Sequence, residues 1–195
     1  MRAVLISIQP YWVFLIIAKT MGWNIGEEKT VEIRKSCPKN DNWNKTAKIY
    51  CTKDKKSFSQ IPKEYRPLME RLLGKVIGEF VCDEITYLGN VSTDPWCALI
   101  GDVHEWHKQL VTKYACLTEE ELLKYGGKYA WHISNLVIYD EPRELSKFMK
   151  PCENDLYCEL CAMYSEFEEK CYNEALQIKR PPQSWCYVES EVEGE

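Results

Sequence analysis

The sequence predicts an α+β domain built on a curved or barrel-like sheet with short helices between its strands. Three observations lead there. The run Ala3 to Ala18 is almost wholly apolar but is interrupted by Gln9-Pro10, which divides a buried strand from a buried helix. Strand-like runs then recur at Lys29 to Lys35, Ala47 to Thr52, Lys75 to Ile85 and Tyr129 to Tyr139. Helix-spaced segments at Glu64 to Leu73 and Leu117 to Tyr125 separate them.

Each element has a local reason. Pro10 suits a first helical turn, where its missing N–H is an orphan anyway. Thr20 to Glu28 is a glycine-containing loop, Pro38 to Lys45 a polar turn region, and Lys53 to Ser59 a basic, polar loop. Tyr65, Leu68, Met69 and Leu72 recur at helical spacing until Gly74 stops them. Thr118 followed by Glu121 is a capping box, and Gly126-Gly127 end the helix it starts. Leu88 to Glu105 is irregular, and Pro142 to Phe148 reads as a short helical turn. Beyond residue 150, Leu156, Leu160, Met163 and Phe167 form a helical stripe. The segment Gln177 to Glu189 reads as a short strand or docking segment that packs across the sheet or covers its cleft. No internal repeat occurs. The chain divides into a domain at 1–148 and a cysteine-rich extension at 149–195 that packs on it and ends in an acidic tail.

The chain of 195 residues is long enough for one domain with a proper core. Its net charge of −5 excludes a generally basic nucleic-acid coat and leaves only a local patch for such a partner. The first apolar run is shorter than the roughly 20 residues a bilayer requires and has no small-residue cleavage site, so the expectation is a cytoplasmic protein without membrane association. Thiols stay reduced there, and the ten cysteines are not read as five disulfides.

The stretch IGEEKTVEIRKSCP carries the chemistry. Strand alternation puts Glu32 and Arg34 on one face and Val31 and Ile33 on the other, with Lys29 at the strand entrance. Arg34 can fork two donors to a phosphate or a base edge, Glu32 can accept from an exocyclic amine, and Lys29 can hold a phosphate or act as a base once desolvated. A charged face opposite an apolar one is also what a plain surface strand shows.

Ser7-Ile8-Gln9-Pro10, then Gly26 with Lys29-Thr30-Val31-Glu32-Ile33-Arg34, then Gly74-Lys75-Val76-Ile77-Gly78-Glu79-Phe80 and Tyr129-Ala130-Trp131-His132-Ile133-Ser134, resemble the ASCH domain of the PUA-like superfamily, of bacterial or phage type. The resemblance covers roughly residues 3 to 148 and implies a small RNA-associated β-barrel with flanking helices. It implies a cleft between the first helix and the barrel, with Ser7, Pro10, Lys29, Glu32, Arg34 and Trp131 as ligand-binding residues. The match departs from the family pattern where Glu27 and Glu28 separate Gly26 from Lys29.

Three functional readings follow. The first is binding of RNA or a nucleotide, with Trp131 as a stacking wall or, equally, ordinary core. The second is hydrolysis of RNA or a modified nucleoside. The resemblance implies ribonuclease chemistry or N4-acetylcytidine amidohydrolase chemistry, with Lys29, Glu32 and His132 as its catalytic residues. In the amidohydrolases a Lys-Thr-x-Thr-x-Arg pattern supplies a threonine nucleophile where this sequence has Glu32. The third is a factor that binds another protein. Binding ranks first, because no complete catalytic constellation is present.

Cys152, Cys158, Cys161 and Cys171 form the second distinctive pattern. Their Cys-x2-Cys pair has zinc-ligand spacing, and a structural zinc would clamp an appendage too small for its own core. The helical periodicity of the same stretch, and the lack of a second such pair, point instead to buried free thiols.

Overall fold

The computed structural model describes residues 2–38, 43–88, 112–152, 164–165, 170–171 and 173–189. The chain runs β1 (Arg2–Ile8), α1 (Pro10–Ile17), β2 (Val31–Arg34), β3 (Trp43–Cys51), α2 (Lys55–Phe58), α3 (Arg66–Leu72), β4 (Lys75–Val81) and β5 (Ile85–Tyr87). It continues with α4 (Glu119–Tyr125), β6 (Tyr129–His132), β7 (Ser134–Glu144), a 3-10 turn (Leu145–Lys147), β8 (Tyr164–Ser165), β9 (Lys170–Cys171) and β10 (Trp185–Glu189).

The main sheet has the order β10-β1-β3-β4-β7, and a smaller one the order β2-β6-β5. β1 lies parallel to β3 and antiparallel to β10, with Ile6 opposite Trp185. β6 and β7 are nearly one strand. Residues 129–132 pair with β2 and β5, the backbone turns at Ile133, and Ser134 then pairs with Val81 of the main sheet. A strand that changes sheets makes a corner, and this one joins the two layers. The expected barrel does not close among the described residues. Between the main sheet and β2 the ladder is replaced by side-chain contacts, Arg34 Nη2 to Ser7 O of β1 at 2.7 Å and Trp185 Nε1 of β10 to Ser36 Oγ just past β2 at 3.1 Å.

The apolar run at the N-terminus is explained by burial on all sides. Val4, Ile6 and Ile8 point into the main core with Val13 to Ile17 of α1, while Ala3 and Leu5 meet Val76, Phe148, Ile178 and Val188 on the other face of the sheet. A strand covered on both faces loses its polar alternation, and a helix apolar all round belongs inside.

Several expectations need correction. The segment read as the loop Lys53 to Ser59 contains α2, because Asp54 caps it by accepting from the Ser57 N–H at 2.6 Å. The run Lys75 to Ile85 is two strands, broken where Cys82 to Glu84 carry the chain from one sheet to the other. Pro142 lies inside β7 rather than starting a helix; β7 is the outer strand, where a missing N–H costs no ladder bond. In the stretch read as helical after residue 150, Tyr164–Ser165 pairs antiparallel with Lys170–Cys171, while the stripe residues Leu156, Leu160, Met163 and Phe167 lie outside the described residues. No described helix is long and apolar enough to cross a membrane.

Candidate functional site

At the seam between β1 and β2 lies a cavity of about 710 Å³. Its lining comes from five places in the chain: the end of β1 and start of α1 (Ser7, Gln9, Trp12), β2 with its entrance (Lys29, Glu32, Arg34), the approach to α2 (Thr52, Asp54), α4 (Glu121, Tyr125), and residues 181–183 ahead of β10. Each has a local cause. Pairing of Glu32 with Trp131 and of Arg34 with Tyr129 fixes β2 in register, so alternation sends both charged side chains the same way. The Thr118–Glu121 capping box and the left-handed Gly126 hold α4 at both ends. Its Leu122 packs with Ile33 and Ala130 on the back of β2, which brings Tyr125 to the rim.

Lys29, Glu32 and Arg34 are each at least 94% buried and form one ionic chain. Arg34 Nη2 is 3.0 Å from Glu32 Oε1, and Lys29 Nζ is 3.4 Å from Glu32 Oε2. Lys29 Nζ also donates to the carbonyls of Val31 and Ala115, both at 2.8 Å, and sits 5.1 Å from the centre of the Trp12 ring. Two of the three ammonium donors go to these carbonyls, and toward Glu32 the contact is ionic only. Burial pushes the Lys29 amine below the ordinary lysine range, and the charge of Glu32 opposes that push. Lys29 is therefore engaged chiefly in holding the site together, through two backbone carbonyls and the charge of Glu32.

Arg34 is different. Its Nη2 is shared between Glu32 and the Ser7 carbonyl, but its Nε is buried without a hydrogen-bond partner. Glu32 Oε2, although in ionic contact with Lys29, likewise accepts no hydrogen bond. A vacant donor and a vacant acceptor thus lie on neighbouring side chains of one cavity. Burial also raises the Tyr125 hydroxyl, with the Arg34 charge opposing. Over the whole lining, Lys29 and Arg34 face three carboxylates, Glu32, Asp54 and Glu121. The cavity has no excess of positive charge.

The remaining expected site residues are placed as follows. Ser7 lines the cavity, with its hydroxyl donating to Pro182 O at 2.7 Å. Pro10 is buried as the first residue of α1, and its neighbour Gln9 takes the lining position. Trp131 has no exposed surface and packs in the main core 6.1 Å from the Trp185 ring; a base cannot stack on a face already covered, so its role as a stacking wall is corrected to core packing. His132 pairs across from Val31, on the face of the small sheet opposite Glu32, and its Nδ1 lies 2.6 Å from Asp83 Oδ1. One strand step separates it from the site and removes it from any chemistry there.

Of the expected zinc ligands, Cys158 and Cys161 lie outside the described residues. Cys152 is a half-buried free thiol, and Cys171 lies in β9. Among the described residues no cluster of histidine, cysteine or carboxylate side chains could hold a metal ion.

Sequence reasoning did not find Trp12, Tyr125 or Gln183. The α4 capping box was readable, but its packing against β2 was not. The RPPQSWCYVE segment, read as packing across the sheet or covering its cleft, pairs with β1 as β10, and residues 181–183 line the cavity.

No protein-family model matches the chain, and no curated protein does. Similar solved structures include ASCH from Zymomonas mobilis, at 19% identity and a TM-score of 0.42, covering 97% of this chain and 89% of that one. Two single-substitution variants of the same Zymomonas protein align at 16% identity, with TM-scores of 0.36 and 0.34. They cover 96% of this chain, and 90% and 88% of their own.

Proposed function

We propose that the cavity binds a single nucleoside, free or as one unpaired residue of RNA, with the base edge against Glu32 and Arg34. The observation that carries this is the Glu32 carboxylate beside the Arg34 guanidinium, both lining a cavity of about 710 Å³, with Glu32 Oε2 and Arg34 Nε left unpartnered just beneath its surface. A base edge presents a donor beside an acceptor, which is the complement of a carboxylate beside a guanidinium. The volume falls within the common range for small-ligand sites. Tyr125 at the rim offers an aromatic face for stacking. The balance of charge favours a base over a phosphate: three carboxylates repel a polyanion, and Lys29 is buried against two backbone carbonyls and the Glu32 charge.

Calorimetric titration with the four ribonucleosides and with short single-stranded RNA tests the reading. Binding by base contacts survives a rise from about 50 mM to about 200 mM salt with little loss, whereas binding through the phosphate backbone falls steeply over that range. Absence of binding to every nucleoside and RNA at low salt would sink it.

Hydrolysis is the second reading, and it rests on the same carboxylate. Glu32 occupies the position at which the resemblance places a nucleophile, and a carboxylate can act as general base on water. It would have to release Lys29 or Arg34 to take a proton, which is why binding comes first.

A further inference from the structure

Gln183 is held in place by a single distant residue. Ser7 Oγ donates to the carbonyl of Pro182 at 2.7 Å, and the Ser7 N–H donates to the carbonyl of Ser184 at 2.9 Å. The two bonds bracket Gln183 on either side. The third polar group of Ser7, its carbonyl, accepts from Arg34 Nη2 at 2.7 Å. Ser7 is 8% exposed, so these bonds are shielded from competing water. Two prolines precede Gln183 and fix the backbone that enters it, and on its far side Trp185 Nε1 donates to Ser36 Oγ just beyond β2. An exposed loop would ordinarily wander. This one is registered to the same residue that orients Arg34.

We propose that Gln183 is a specificity-determining residue of the cavity and that Ser7 is the positioning residue that sets Gln183 and Arg34 at a fixed spacing. The inference rests on the nucleoside-binding reading. Gln183 lines the cavity with its backbone pinned, while its side chain is exposed at the mouth. A primary amide offers two donors and an acceptor without charge. It therefore selects a neutral hydrogen-bonding group on the part of the ligand nearest the mouth. Glu32 and Arg34 read one edge of the ligand and Gln183 a second, and a ligand lacking the second group leaves the amide competing with solvent. This gives the proline-containing segment a role beyond covering the sheet edge: it carries a reading group to a site otherwise built more than 50 residues earlier in the chain or from α4.

The test measures dissociation constants for the four ribonucleosides with the 195-residue chain and three variants. Gln183→Ala is expected to weaken the preferred nucleoside about tenfold and leave the poorest unchanged, so that selectivity collapses. Ser7→Ala removes only the hydroxyl and is expected to lose the same selectivity. It should also speed hydrogen exchange of the residue-7 amide, which donates to Ser184 O, about tenfold without changing exchange in β3 and β4. Ser7→Thr keeps the hydroxyl and should restore both. Selectivity unchanged in Gln183→Ala overturns the specificity role. Unchanged exchange in Ser7→Ala, or loss of protection spread over the whole sheet, overturns the positioning role. Failure of the unmodified protein to bind any nucleoside is a different outcome: it overturns the parent reading, while the exchange experiment still judges Ser7 by itself.

Discussion

The Glu32 carboxylate lies 3.0 Å from the Arg34 guanidinium, two positions along one strand, with both side chains buried. Neighbours at that spacing share a face, so β2 aligns the pair without help from any other element. The second cation, Lys29, comes from the strand entrance, and the three form a chain in which one negative charge separates two positive ones. Burying three charges is expensive, and the cost is offset only while all three are present.

Removing the central charge should therefore be severe. Glu32→Gln leaves Lys29 and Arg34 buried as uncompensated cations, and a loss of about 3–5 kcal/mol of stability is expected in urea unfolding. Pairing it with Arg34→Met should recover part of that loss. The folded fraction of Glu32→Gln also separates the two functional readings: a binder keeps most of its affinity, because glutamine retains an acceptor, whereas a hydrolase that uses Glu32 as base loses turnover by at least ~100-fold. A variant as stable as the parent would contradict the charge chain.

Arg34→Lys should behave as a strong loss despite keeping the charge. Lysine has no equivalent of the vacant Nε and no planar fork to bridge Glu32 and Ser7 O. Nucleoside affinity is expected to fall about tenfold or more, with the loss insensitive to salt. Lys75→Ala is the matched comparison: Lys75, on β4, two strands across the sheet from β1 and outside the cavity lining, pairs with Glu144, and its loss should leave affinity unchanged. Equal losses in the two variants would point to a diffuse electrostatic surface in place of a built site.

Much of the site was legible in the sequence because it is local. Lys29, Glu32 and Arg34 sit within six residues, and alternation alone sets two of them side by side. The Thr118–Glu121 cap and the Pro10 helix start are likewise decided by neighbours in the chain. What stayed hidden depends on long-range packing. Tyr125 enters the cavity because Leu122 docks behind β2, and Gln183 enters because β10 pairs with β1. The split of the Lys75 to Ile85 run, and the transfer of Trp131 from wall to core, both follow from the corner between the sheets, and no local period encodes that corner.

Acid should loosen the main sheet at Glu79. Burial opposes ionisation there, but hydrogen bonds from Lys48 at 2.8 Å and the Tyr139 hydroxyl at 2.7 Å outweigh it and hold the carboxyl below its ordinary value. A carboxyl depressed in the folded state binds its proton less readily than in the unfolded chain. Its stabilisation is thus complete above the unfolded value near 4.5 and disappears as pH falls through the lower folded value. Urea midpoints measured from neutral pH downward should fall in this window, and Glu79→Gln should flatten the fall. Parallel profiles for the two proteins would remove Glu79 from the account.

Gly78→Ala tests the close approach of β7 to β4 just beyond the corner. Gly78 pairs with Ile138, and a β-carbon built there would lie 2.3 Å from Val137 O and 3.0 Å from the Ile138 α-carbon. Both are backbone atoms, so no side chain can turn aside; β7 would have to move off β4. The ladder shifts register on both sides of this pair, along the stretch of β7 that follows the turn at Ile133. A loss of about 1–3 kcal/mol is expected, the usual range for forcing a group into filled space. Gly22→Ala supplies the contrast. Gly22 has nothing within 4 Å but a φ of +70°, so alanine there should cost only the left-handed strain of about 1–2 kcal/mol. Hydrogen exchange distinguishes the two mechanisms. Gly78→Ala should speed exchange along β7 selectively, whereas Gly22→Ala should lower global stability with no local signature in the sheet. Were Gly78→Ala to leave both the unfolding midpoint and the β7 amides unchanged, β7 would not approach β4 this closely, and the corner that sets the small sheet beside the cavity would have to be redrawn.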